Sequence, residues 1–377
     1  MKLVGIFTLD SQSYNYGGLL QEYALQQAIN KLGLKSEIID YKLSTEPHLF
    51  SVKKDIRNFK IKNLISKFKR KEITVVEDSV KQKIILRRKQ FDDFRKNYMV
   101  LSPEYQYSNL AEEATKYDAV VCGSDQIWNP DYCKSSFFLD FVNDKTTKMI
   151  YAASITKPNL TKFQLKTYAK YMKILDYISV RENSAKELLQ TVSNKKIELV
   201  VDPTLLHNKE FWNKHINSKY DTLGDYLYCY FLNYTPEKIA AVEEYAKNNN
   251  LKIVIVPYLH GKCDKLEETF AAEKLYDVGP EEFINLINSA KCIITDSFHA
   301  TVFSIVFNKN FFVFSRQAGS YNMNTRIENL LGYFGLEERL IEPCELNSKY
   351  DIINYNISNK IDILKQTSID YLSNLVK

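Results

Sequence analysis

A chain of 377 residues is longer than one ordinary hydrophobic core sustains and points to two domains. Hydrophobic residues make up 45% and aromatics 13%, with only 11 glycines and 9 prolines, which excludes collagen-like, linker-rich and disordered classes. The net charge of +5 is unevenly spread: residues 53–96 carry 16 Lys/Arg against 6 Asp/Glu, so the remaining chain is net negative.

The opening "MKLVGIFTL" is too short and too poorly flanked for a signal peptide and reads as a first strand. "GGLLQEYALQQAINKLG" follows as a helix with Gly33 in the C-terminal cap position, and "SEIIDY" is the next strand. A basic insertion over about 42–100 then interrupts the pattern. Within it, "DIRNFKIKNLISKFKRK" sets Ile56, Phe59, Leu64, Ile65 and Phe68 at helical spacing among lysines. Such a segment either lies on an anionic membrane surface or covers a domain face.

The alternation resumes with "DAVVCGS", "KMIYAASI", a helix near 160–175, "YISVRE" and "IELVVDP". Pro203 and "HNKEFWNK" mark a boundary near 205–215. Beyond it come "YLYCYFL", helix "PEKIAAVEEYAKNNN", "KIVIVPYL", helix "PEEFINLINSA", "CIIT", a helix through "HATVFSIVF", and "FFVF". The segment 357–375 is amphipathic and reads as a last helix. The expected fold class is α/β, with two Rossmann-like doubly wound domains, 1–206 and 207–377, facing across a cleft.

No apolar run approaches the roughly 20 residues of a membrane span. The six cysteines are scattered without a C-x-x-C and read as reduced core thiols of a cytoplasmic protein. His48, His207, His215 and His260 lack metal-ligand spacing and no D-x-D occurs, so neither a metal nor a cofactor is expected.

In doubly wound sheets ligands bind beyond the carboxyl ends of the strands, and four loops lie there. "DSQSYNYGGLLQ" places Asn15, Gly17 and Gly18 before a helix whose unsatisfied N–H groups suit an anion or a sugar oxygen; a tight structural turn explains it equally well. "CGSDQIWNP" ends a strand with Asp125 and Trp128, either a carboxylate and an indole for a sugar or an Asx-type turn over a buried tryptophan. In "ISVRENSA", Arg181 either grips a phosphate or carboxylate or pairs with Glu182 or Asp202. In "CIITDSFHA", Asp296 or Ser297 caps a helix and His299 stands in its first turn. A helix N-terminus disfavours imidazolium, and an anion bound nearby reverses this, making His299 available as an acid.

Taken in order, "NYGGLLQEYALQ", "VVCGSDQIWNP", "YAASI", "SVRENSA", "VVDPTLL", "TDSFHATVFSIVFNKNFFVF" and "NMNTRIENLLGYFGL" resemble the polysaccharide pyruvyl transferase family across residues 4–340. The resemblance implies a GT-B-like architecture, with 1–206 the acceptor side and 207–377 the donor side. It implies transfer of pyruvate from phosphoenolpyruvate onto two hydroxyls of a sugar, forming a cyclic ketal on a surface or capsular polysaccharide precursor. It makes His299 the acid/base residue and Arg181 a donor ligand, with Ser297 and Phe298 beside them. Asn15, Tyr16, Gly17, Gly18 and Trp128 fall on the acceptor side, and Asp125 is expected to orient or deprotonate an acceptor hydroxyl.

Some members carry a phosphate-binding arginine two residues before the histidine; Ser297 stands there here, so Arg326 or Arg316 is expected to replace it. The implied partners are phosphoenolpyruvate and a glycan or lipid-linked oligosaccharide, with no nucleic acid. Such an acceptor suggests a peripheral position on the inner face of the plasma membrane, with Lys53–Lys71 against anionic lipid. A sugar-nucleotide glycosyltransferase on the same scaffold and a non-catalytic carbohydrate-binding protein of envelope assembly are the competing readings.

Overall fold

The computed structural model describes all residues except 1, 10–11, 42–45, 51–77, 259–264, 319–320, 323, 347–359 and 377. The first sheet contains β1 (Leu3–Phe7), β2 (Lys35–Ile38), β3 (Ala119–Asp125), β4 (Thr147–Ala153), β5 (Tyr177–Val180) and β6 (Ile197–Leu199). Their order is β2-β1-β3-β4-β5-β6, every pair parallel. The run of apolar residues in β3 is buried on both faces, as a sheet covered by helices on each side requires. The longer helices of this half are α1 (Tyr16–Lys31), α2 (Asp78–Tyr98), α3 (Lys162–Met172) and α4 (Asn183–Gln190).

The second sheet contains β7 (Tyr226–Tyr230), β8 (Lys252–Ile255), β9 (Glu273–Lys274), β10 (Cys292–Thr295) and β11 (Asn310–Phe314). A small antiparallel hairpin of β12 (Gln317–Ala318) and β13 (Tyr321–Asn322) precedes its last strand, β14 (Leu340–Ile341). The order is β14-β11-β10-β7-β8-β9, again parallel throughout. The longer helices here are α5 (Pro236–Asn248), α6 (Pro280–Ser289), α7 (Phe298–Val306), α8 (Thr325–Phe334) and α9 (Lys360–Leu372). Each sheet reverses its strand order once, between β1 and β3 in the first and between β7 and β10 in the second. Those reversals are where such sheets open a crevice for ligands.

Two helices do not follow the expected division. The last helix, α9, returns to the first domain: Tyr371 donates its hydroxyl to the Ile150 carbonyl at 2.7 Å, and Ser368 accepts from the Val201 N–H at 3.0 Å. The second half of the basic insertion belongs to the core, because Arg87, Phe91 and Phe94 fall on one buried face of α2. Phe91 packs on Tyr16 of α1 with ring centroids 5.0 Å apart. On the other side, Gln90 donates to Glu282 and Tyr98 to Glu281, both on α6, and Arg87 donates to the Pro257 carbonyl. Thus α2 braces one domain against the other. Lys53–Lys71, where membrane contact is expected, lies outside the described residues.

Phe91 is fully buried at the middle of this brace. Phe91→Ala is expected to cost about 3–5 kcal/mol, as for other buried phenylalanines, in urea unfolding of the full chain. A loss below about 1 kcal/mol would show that α2 is not packed in this way.

Candidate active site

The two strand-order reversals face each other, and one cleft runs between them. Asn15 and Gly17 enter it after β1, Asp125 and Gln126 at the end of β3, Tyr230 and Leu232 at the end of β7, and Ser297, Phe298 and His299 after β10. Phe283 of α6 and Arg326 of α8 complete the lining. The residues come from distant parts of the chain, and only the strand order brings them together.

The helix ends are built by capping. Asn15 accepts from the Gly18 N–H at 3.1 Å and starts α1; Ser297 accepts from the Ala300 N–H at 3.5 Å and starts α7. Asp296 is not a cap: it accepts from the Leu232 and Asn233 N–H groups and from the Lys238 ammonium at 2.8 Å, pinning the loop after β7. The first turns of α1 and α7 touch across the cleft. A Cβ on Gly17 would lie 2.0 Å from His299 Nδ1, so glycine is required there for close approach. A Cβ on Gly18 would find only Asn15, at 3.7 Å or more.

His299 is mostly buried, with 10% of its side chain exposed. Its Nε2 lies 3.7 Å from Asp202 Oδ2, an ion-pair contact longer than a hydrogen bond, and makes no hydrogen bond. Arg181 answers the question left open by its motif. Its guanidinium is 2.6 Å from Asp202, 3.1 Å from Asp125 and 3.5 Å from Glu182, and it lies over the Phe298 ring at 4.3 Å. It pairs with three carboxylates, the structural alternative that its motif offered, and lines a small pocket that shares Phe298 and Arg326 with the cleft.

Burial pushes the Asp202 carboxyl up, but His299, Arg181 and Thr204 outweigh that and hold it well below the ordinary carboxylate range. For Asp125 burial acts in the same upward sense, and Arg181, His299 and Arg326 together bring it below its usual value. Asp125 has a left-handed backbone, φ 68°, which aspartate tolerates better than most residues. Asp125, ionised and at the cleft, suits accepting a hydrogen bond from a hydroxyl, the orienting part of the role expected of it.

Of the two arginines expected to compensate for Ser297, Arg326 reaches the cleft and Arg316 does not line it. Arg326 Nη1 is 3.6 Å from Asp125, and its Nε makes no hydrogen bond. With the Gln126 amide oriented to suit its neighbours, its oxygen accepts from both terminal nitrogens of Arg326, at 3.1 and 3.2 Å. The backbone N–H of Arg316 donates to Asn324 Oδ1 ahead of α8, at 2.7 Å.

Two acceptor-side residues are corrected outright. Trp128 is fully buried, donates to the Phe137 carbonyl at 3.1 Å and stacks on Phe138, so its indole presents no face to a sugar. Tyr16 is buried as well: it stacks on Phe283 at 4.3 Å and donates to the Val278 carbonyl, joining the two domains. Sequence reasoning passed over Gln126, Tyr230, Leu232 and Phe283. The first three stand at strand ends and were open to the same strand-end argument; Phe283, on a helix, carries no such signal.

The chain matches the family described as polysaccharide pyruvyl transferase over residues 15–317. It belongs to that family. The span matched to polysaccharide pyruvyl transferases takes in every cleft residue except Arg326. A search of curated proteins found no match. Among solved structures, a protein from Listeria monocytogenes assigned as a UDP-N-acetylglucosamine 2-epimerase is similar, with TM-score 0.50, 10% identity and coverage of 96% of this chain and 94% of that one. The UDP-GlcNAc 2-epimerase of Methanocaldococcus jannaschii gives 0.45 at 15% identity, covering 100% and 99%. A glycosyl transferase family 9 protein of Veillonella parvula gives 0.40 at 10% identity, covering 99% and 97%. The fold is GT-B, with two facing Rossmann-like domains.

In this family member Gly17→Ala is expected to displace the His299 ring, seen as a shift of its ring resonances in NMR spectra, whereas Gly18→Ala leaves them in place. Equal spectra for both variants would show that α1 and α7 do not meet at Gly17.

Proposed function

We propose that the cleft binds phosphoenolpyruvate and transfers its pyruvyl group onto two hydroxyls of a sugar in a surface polysaccharide precursor, forming a cyclic ketal. The observation that carries this reading is the meeting of His299, Arg326 and Asp125 at the facing reversals of a chain of this family. The donor is an enol ester bearing a phosphate and a carboxylate. Arg326, with an uncommitted Nε, and the N-terminus of α7 at Ser297 supply donors for those anionic groups.

The reaction begins with proton delivery to the methylene carbon, which His299 provides in its charged form. The carbon bearing the phosphate becomes electrophilic, and one sugar hydroxyl adds to it and loses its proton. The bond to the phosphate oxygen then breaks and inorganic phosphate leaves carrying that proton, and a second hydroxyl closes the ring, its proton returning His299 to the charged form. Asp125 orients the attacking hydroxyl by accepting its hydrogen bond. Arg181 neutralises the carboxylates around the reacting groups, acting behind the cleft. The sugar acceptor sits toward Asn15 and Gln126, on a lipid carrier at the inner membrane face, where the basic segment Lys53–Lys71 contacts anionic lipid.

Incubating the full chain with phosphoenolpyruvate and a panel of lipid-linked or aryl glycosides tests this. Acceptor-dependent phosphate release is expected, lowered about 10²–10⁴-fold in His299→Ala. Release from a sugar nucleotide, or a rate in His299→Ala within about tenfold of the wild type, would reject the reading. In anionic vesicles, the rate on a lipid-linked acceptor is expected to fall with salt, and a salt-independent rate would remove the membrane contact.

A further inference from the structure

We propose that Asp202 is a positioning residue of this cleft, its buried and fixed carboxylate being the counter-charge against which the His299 ring is oriented. The inference rests on His299 as the acid of the proposed reaction, but its test does not use that reaction.

The carboxylate is immobilised on both oxygens. Oδ1 accepts from the Thr204 N–H at 3.0 Å and from the Thr204 hydroxyl at 2.6 Å; Oδ2 accepts from Arg181 at 2.6 Å. The side chain is fully buried, so it has no other position to take up. The same Oδ2 faces His299 Nε2 at 3.7 Å, and that nitrogen is buried without a hydrogen bond. On its Nδ1 side the ring is closed off by Gly17, where even one added carbon would clash. A histidine carried by the second domain is thus held between two walls supplied by the first.

Charge gives the arrangement its direction. Asp202 and Asp125 face the ring from the first domain, and both are themselves depressed by His299. Arg181 behind them and Arg326 from α8 act in the opposite sense, with Glu182 offsetting Arg181. Of these groups Asp202 is the one in ion-pair contact with the imidazole. A helix N-terminus by itself disfavours imidazolium; a fixed carboxylate in a dry setting offsets that cost without a ligand.

The test is an NMR titration of the full chain labelled in its histidine rings, with His299 assigned from its absence in His299→Gln. In Asp202→Asn the His299 midpoint is expected to fall by about one unit or more relative to the wild type, because an opposite charge at this range has been removed. An unchanged midpoint in folded Asp202→Asn overturns the proposal. Should that variant not fold, Thr204→Val keeps the carboxylate and its Arg181 pair and removes only the hydroxyl donor. Deprived of that donor, the carboxylate attracts the imidazolium more strongly, and the midpoint is expected to rise; no rise overturns the proposal. A chain that titrates as expected and transfers nothing rejects the proposed function alone.

Discussion

The Arg181 guanidinium sits among three carboxylates, and the site depends on that one buried charge. Asp125 ends β3, Glu182 follows Arg181 directly, and Asp202 follows β6. Left unpaired in a dry interior, these carboxylates would repel one another or take up protons. Arg181 acts with His299 and Arg326 to lower Asp125, and with His299 and Thr204 to lower Asp202, and it ties together the ends of β3, β5 and β6. Removing one partner of such a buried network typically costs about 3–5 kcal/mol, since the remaining charges lose their compensation. Through Asp125 the network reaches Arg326, and through Asp202 it reaches His299, both on the second domain. The first domain thus sets the electrostatics of side chains that the second domain carries.

Charge alone does not fix the spacing between domains. Packing does, at two places on either side of the cleft. Gly17 lets the first turns of α1 and α7 approach to contact, and the Tyr16–Phe283 stack continues that contact into α6. The α2 helix then ties α1 to α6 from outside through Phe91 and its hydrogen bonds to Glu281 and Glu282. The aromatic core is accordingly continuous from the first sheet to the second, through Trp212 and Phe303. A cleft bounded this way keeps its polar groups at fixed separations, which is what proton delivery to a defined carbon requires.

Much of this was legible in the chain. Alternating apolar strands and helices with Gly33 and Ser297 at their ends predict parallel sheets, and the four strand-end loops contain Asp125, Arg181 and His299. The ordered motifs name the family, which the match over 15–317 shows. What the loops cannot show is which of them face one another, because that follows from strand order and not from spacing. Trp128 and Tyr16 were misplaced for a related reason: an aromatic beside a strand end is equally suited to a ligand or to a core, and both are buried here. The brace was hidden by composition, since the lysines and arginines of the insertion obscure the single face formed by Arg87, Phe91 and Phe94. Arg326 was a candidate only because charge was missing at Ser297, and its place in the cleft lies beyond the matched span.

The central claim is that the cleft holds a multiply charged donor through Arg326. Calorimetric titration of phosphoenolpyruvate into the full chain, without acceptor, measures it most directly. Wild type is expected to bind saturably, Arg326→Ala about tenfold or more weakly, and Arg316→Ala within about threefold of wild type, as loss of one charge-assisted contact implies. Equal affinity in wild type and Arg326→Ala would contradict the account.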